Sequence, residues 1–139
     1  MAIHLFEENI SIKIKNKLKL KNWIKATILA EKKTLGELNY VFCSDEYLHE
    51  MNVEYLQHDT LTDIITFDNS NTKNEITGDI FISVDRVIDN AAKFKVSIED
   101  ELHRVMVHGV LHLIGYKDKK KEEKETMRFK ENFYLNKRD

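Results

Sequence analysis

The sequence predicts an α+β fold: a small mixed four-stranded sheet packed with about five helices. Three observations carry this. Apolar residues recur at helical spacing in several stretches, among them Leu18, Trp23, Ile24, Thr27 and Ile28. Short β-branched and aromatic runs (LNYVFC, DIITFD, TGDIFISV) separate them. The chain has no proline and four glycines, so Asn, Asp and Ser must make most of the turns.

Residues 2–6 alternate in polarity and open the fold as a strand, with a second short alternating stretch at 10–14. A helix is expected over 16–33, broken before Gly36, followed by a strand from Leu38 to Cys43. Ser44 or Asp45 can cap a short helix reaching Tyr55. Strands at 63–68 and 77–84 flank the polar loop 69–74 and should pair as a hairpin. A helix follows over 85–95, capped near Ser83 or Asp85. Ser97 then caps a longer one with acidic residues in its first turn, running to Ile114 and stopping at Gly115. A strongly charged helix at 119–135 closes the chain, with Met127, Phe129, Phe133, Tyr134 and Leu135 as its apolar candidates.

The 139 residues suit one domain, 1–139. No window approaches the roughly 18 uninterrupted apolar residues of a membrane span. No secretory signal is legible at the N-terminus, and the single cysteine, Cys43, cannot form an internal disulfide, so a cytoplasmic setting is expected. The net charge of -2 excludes a uniformly basic nucleic-acid binder. Lysines nevertheless crowd 13–25 and 117–124, and either cluster could face phosphates or simply be solvated.

The segment His108-Gly-Val-Leu-His112-Leu-Ile-Gly115-Tyr-Lys-Asp118 points to chemistry. Histidines four apart on a helix share one face and can lean toward one metal ion. Gly115 tolerates the left-handed conformation that ends a helix, which lets the chain bend back and bring Asp118 to the same point. Two imidazoles and a carboxylate leave a coordination position for water, as in a catalytic site. The alternative is a pair of hydrogen-bonded core histidines. Gly109 occupies the glutamate position of the His-Glu-x-x-His proteases, so peptidase chemistry is disfavoured. His4, His49, His58 and His103 read as ordinary histidines.

The segment HGVLHLIGYKD resembles the signature HGxLHLxGYDH of the YbeY family of metal-dependent endoribonucleases. Upstream, MNVEYLQHDTLTDIITFD resembles the family stretch LNxxYRxxDxPTDVLSFP, and Gly78 to Ile80 matches a further element. The resemblance implies cleavage of single-stranded RNA in ribosomal RNA maturation (the 16S 3′ end) and ribosome quality control. It implies one divalent metal, zinc first with nickel, manganese or iron as alternatives, and partners among ribosomal RNA and small-subunit proteins. In the chain's departures, Asp118 stands at the third ligand histidine, Lys117 at an aspartate, Leu56 at an arginine and Leu61 at a proline. With that arginine replaced, Arg104, one turn before His108, is a candidate to supply positive charge. Asp63 and Asp79 are candidate acids near the metal, able to hold a ligand imidazole by its second nitrogen. A ribosome-associated binding factor with a mainly structural metal is the alternative function. A non-haem iron oxygenase ranks below it.

Overall fold

A computed structural model describes residues 2–56 and 62–138, apart from the side chains of Tyr55 and Leu56. His58, Asp59 and Leu61 lie outside the described residues. Among the described residues the elements are β1 (Ala2–Glu8), α1 (Lys17–Ala30), β2 (Thr34–Cys43), α2 (Asp45–Leu56), β3 (Ile64–Asp68), β4 (Glu75–Ser83), α3 (Val84–Phe94), α4 (Ile98–Ile114) and α5 (Lys121–Leu135). The strands form one sheet in the order β1-β2-β4-β3. β1 and β4 both run parallel to β2, while β3 pairs antiparallel with β4, so the sheet is mixed as the sequence predicts.

Local chemistry explains the element ends. The hydroxyl of Ser83 accepts the Arg86 N–H at the start of α3, and that of Ser97 accepts the Asp100 N–H at the start of α4. Asn9 and Lys32, both at positive φ, end β1 and turn the chain after α1, so that helix is shorter than 16–33. Residues 10–14 form no strand: the parallel pairing along β1 already occupies the edge of β2. Their Ile10, Ile12 and Ile14 instead pack as side chains against the core.

Alternation along β4 divides the sheet into two faces. Ile76, Ile80 and Ile82 join Leu38, Tyr40 and Phe42 of β2 in the main core, which Ile24 and Ile28 of α1, Val87 of α3, and Met106 and Leu111 of α4 complete. The opposite face carries a smaller cluster of Cys43, Ile65 and Leu48, the last from α2. Three of the apolar residues singled out in the helices point outward. Leu18 is exposed, with Leu20 taking the core position, and Phe129 and Phe133 stack on the outer side of α5 while Met127 and Tyr134 face inward.

Candidate metal centre

α4 is pinned to the sheet where the two histidines project. The Tyr40 hydroxyl donates to the Met106 carbonyl at 2.9 Å. At Gly109 the helix lies so close to the sheet that a Cβ would stand 2.9 Å from both Ile64 Cδ1 and Ile80 Cγ2. The glycine at the protease-glutamate position therefore serves close packing, and the faces beside it are left to His108 and His112.

Gly115, at φ 129, ends the helix, and its N–H and that of Tyr116 return to the Leu111 carbonyl. The segment that follows is tied at both ends. The Tyr116 hydroxyl donates to Glu31 Oε1 at 2.6 Å, and Glu31 also takes Tyr134 and Lys130. The backbone N–H groups of Lys119 and Lys120 donate to Glu123 Oε1. Between these ties, Asp118 Oδ2 lies 3.3 Å from His108 Nε2 and 3.4 Å from His112 Nε2. The two rings stand nearly perpendicular, with centroids 4.5 Å apart. One donor atom from each of His108, His112 and Asp118 falls within 4.8 Å of the others, so the three can converge on one ion. All three side chains are partly exposed, which leaves a ligand a path in.

Glu131 of α5, buried at 5% exposure, accepts from His108 Nδ1 at 2.6 Å. This orients the ring and leaves Nε2 facing Asp118, the carboxylate–histidine arrangement that supports metal ligands. Arg104 Nη1 donates to Glu131 Oε1 at 2.9 Å and Nη2 to Asn132 Oδ1 at 2.9 Å. Burial pulls the Glu131 carboxyl upward, but the bonds from His108 and Arg104 outweigh it and hold it below its usual range. Burial works in the other direction on His108, where the Glu131 contact and the nearby Asp118 and Asp63 charges leave its basicity raised.

The structure gives each of the remaining candidates its neighbours. The guanidinium of Arg104 is engaged by Glu131 and Asn132. The second nitrogen of His108 is held by Glu131 rather than by Asp63 or Asp79. Asp63 is partly buried beside the site, and burial together with the Glu131 and Asp118 charges raises its carboxyl against the opposing pull of His108. Asp79 sits on the other face of the sheet, accepting from Asn39 and Asn69. His103 meets Arg138 and the Trp23 ring, and His4 meets Glu37. Glu131 went unrecognised in the sequence, although an acid between Met127 and Tyr134 on the inward stripe of α5 was a readable signal.

The donor set suits a divalent cation: two nitrogens and one oxygen, open to solvent, with one ring braced from behind. Fold and site together define a class, an α+β protein with a candidate mononuclear metal site at the end of a sheet-packed helix. The family model for endoribonuclease YbeY matches residues 3–139. Relatives bearing that name include those of Cytophaga hutchinsonii, 52% identical with 96% of this chain and 94% of the relative covered, and Flavobacterium johnsoniae, 54% identical with 91% of each covered. The solution structure of a Thermotoga maritima protein superposes with a TM-score of 0.68 at 25% identity, covering 98% of this chain and 88% of that one. The chain belongs to the YbeY endoribonuclease family.

Proposed function

We propose that this protein is a metal-dependent endoribonuclease that cleaves single-stranded RNA during ribosomal RNA maturation, in the cytoplasm and in contact with the small ribosomal subunit. The observation that carries this reading is the convergence of His108, His112 and Asp118 beside the braced His108 ring, in a chain of the endoribonuclease YbeY family. Family membership supports the RNA substrate. No described helix is long and apolar enough to cross a membrane.

His108, His112 and Asp118 would hold the ion, with zinc the first choice for a two-nitrogen, one-carboxylate set and nickel, manganese or iron also compatible. A bound divalent ion would polarise a phosphoryl oxygen or lower the pKa of a water. Glu131 keeps the His108 Nδ1 proton engaged, so the ring presents Nε2 in a fixed orientation. Arg104 acts through Glu131 as a positioning residue, holding the carboxylate in line with the ring. Asp63 places a carboxyl beside the ligands that can take a proton from the attacking hydroxyl.

Replacement D118A tests the reading through metal content, melting temperature and cleavage of single-stranded RNA. The expected result is about one metal per chain in the unaltered protein, loss of metal and cleavage in D118A, and a folded variant. A large fall in melting temperature, with no cleavage by either protein, would instead support a binding factor whose metal is structural.

A further inference from the structure

Two arginines flank Glu131, and they differ in what they have left to offer. Arg104 is one-quarter exposed and makes two 2.9 Å bonds, to Glu131 and Asn132. Arg128 is 61% exposed, and among the described residues its only ion pair is a 3.9 Å approach to Glu131 Oε1. The same carboxylate already has the Arg104 guanidinium and the His108 ring at hydrogen-bond distance, so Arg128 adds little to its neutralisation. Its guanidinium therefore keeps most of its donors for solvent or a ligand.

The placement of Arg128 matters as much as its freedom. Lys124, Arg128 and Glu131 follow one another at spacings of four and three, and so share one edge of α5. Glu131 touches His108, which sets this edge along the ligand cluster. Lys130 and Tyr134, on the other edge, reach Glu31 just past the end of α1, and the Tyr134 carbonyl takes the Trp23 indole. The edge with Lys124 and Arg128 is thus turned away from α1. Both residues are exposed there, and Lys124 has no ion pair among the described residues. Glu101, a further acid within electrostatic reach of Arg104 and Arg128, is buried, and among the described residues no ion pair joins it to Arg128.

We infer that Arg128, with Lys124 one turn away, forms a phosphate-binding edge that seats the backbone of single-stranded RNA beside the His108–His112–Asp118 cluster. This deepens the endoribonuclease reading and rests on it. Arginine suits the task because its planar fork can engage two phosphate oxygens together. Such contacts set the position of the strand without reading its bases.

The test is binding of a short, dye-labelled single-stranded RNA across a salt series by R128A, R128K and the unaltered protein, with metal content measured for each. One lost phosphate contact lowers the slope of log affinity against log salt by about 0.7 for a single strand. The expected result is that loss in R128A at unchanged metal content, with R128K keeping the slope and binding with intermediate affinity. Cleavage by R128A should show a raised KM with little change in kcat. An unchanged slope in R128A would overturn the inference. So would a loss of metal in R128A, because Arg128 would then act through Glu131 and not on RNA. Failure of the unaltered protein to bind RNA at all would overturn the endoribonuclease reading along with this one.

Discussion

Replacing Glu131 separates the brace on the metal ligand from the packing of α5. In E131A, the Arg104 guanidinium keeps only Asn132, and His108 Nδ1 loses its acceptor. Breaking a buried ion pair costs about 3–5 kcal/mol. Arg104 is one-quarter exposed and retains one bond, which places E131A at the lower end, about 3 kcal/mol. For a chain of this length that is a fall in melting temperature of roughly 10 °C. The isosteric E131Q keeps an acceptor oxygen but not the charge, and should lose about 1–2 kcal/mol. Loss of a carboxylate behind a ligand imidazole weakens metal binding by about 10–100-fold, or about 1.4–2.8 kcal/mol. Thermal unfolding of the metal-free proteins gives the first quantity, and competition with a chromophoric chelator for zinc gives the second. E131Q should therefore lose clearly less stability than E131A, yet bind zinc about 10–100-fold more weakly than the unaltered protein. Equal zinc affinities, with E131A destabilised, would refute the reasoning and make Glu131 a core ion pair with no bearing on the ligand.

Two further predictions follow from the same geometry. Burial raises the Glu31 carboxyl, but the bonds from Tyr116, Tyr134 and Lys130 outweigh it and leave its pKa below the ordinary value of 4.5. A depressed folded pKa contributes stability above the unfolded value and loses it as pH falls through the folded one. The stability advantage of the unaltered protein over E31Q should accordingly be full near neutrality and shrink in acid below about pH 4.5, as read from denaturant unfolding at several pH values. An advantage independent of pH would show that the Glu31 charge is not used. Among the glycines, G78A should cost more than G109A. A Cβ at Gly78 would stand 2.3 Å from the Phe67 backbone carbonyl oxygen, which cannot yield without parting β3 from β4. At Gly109 the obstacles are the Ile64 and Ile80 side chains, so G109A should cost about 1–2 kcal/mol, with weaker metal binding as α4 lifts. The reverse order in melting temperature would contradict this account.

What could be read along the chain is what depends on near neighbours. The caps at Ser83 and Ser97, the helix stop at Gly115 and the strand alternation of β4 are set by residues within a few positions. The same holds for the metal cluster, because two histidines one turn apart and a carboxylate past a glycine bend lie within one short segment. The errors lie where distant elements meet. Period-two alternation sorts Asp79 from Ile80 but does not say which face of the sheet α4 will cover, and Asp79 fell on the other one. Helical spacing grouped Leu18 with the apolar residues of α1, and apolarity alone marked Phe129 and Phe133 in α5, whereas packing of the two helices on the core turned all three outward.

The ligand set, the helix that carries it and the mixture of strands and helices are local properties, written in spacing and in turn chemistry. The brace behind His108, the commitment of Arg104 and the release of Arg128 arise only when α5 packs antiparallel against α4. That packing brings Glu131 to a histidine 23 residues earlier in the chain. Side-chain spacing along one helix cannot specify such a contact, because it depends on the rotation and register of two helices set by the core between them.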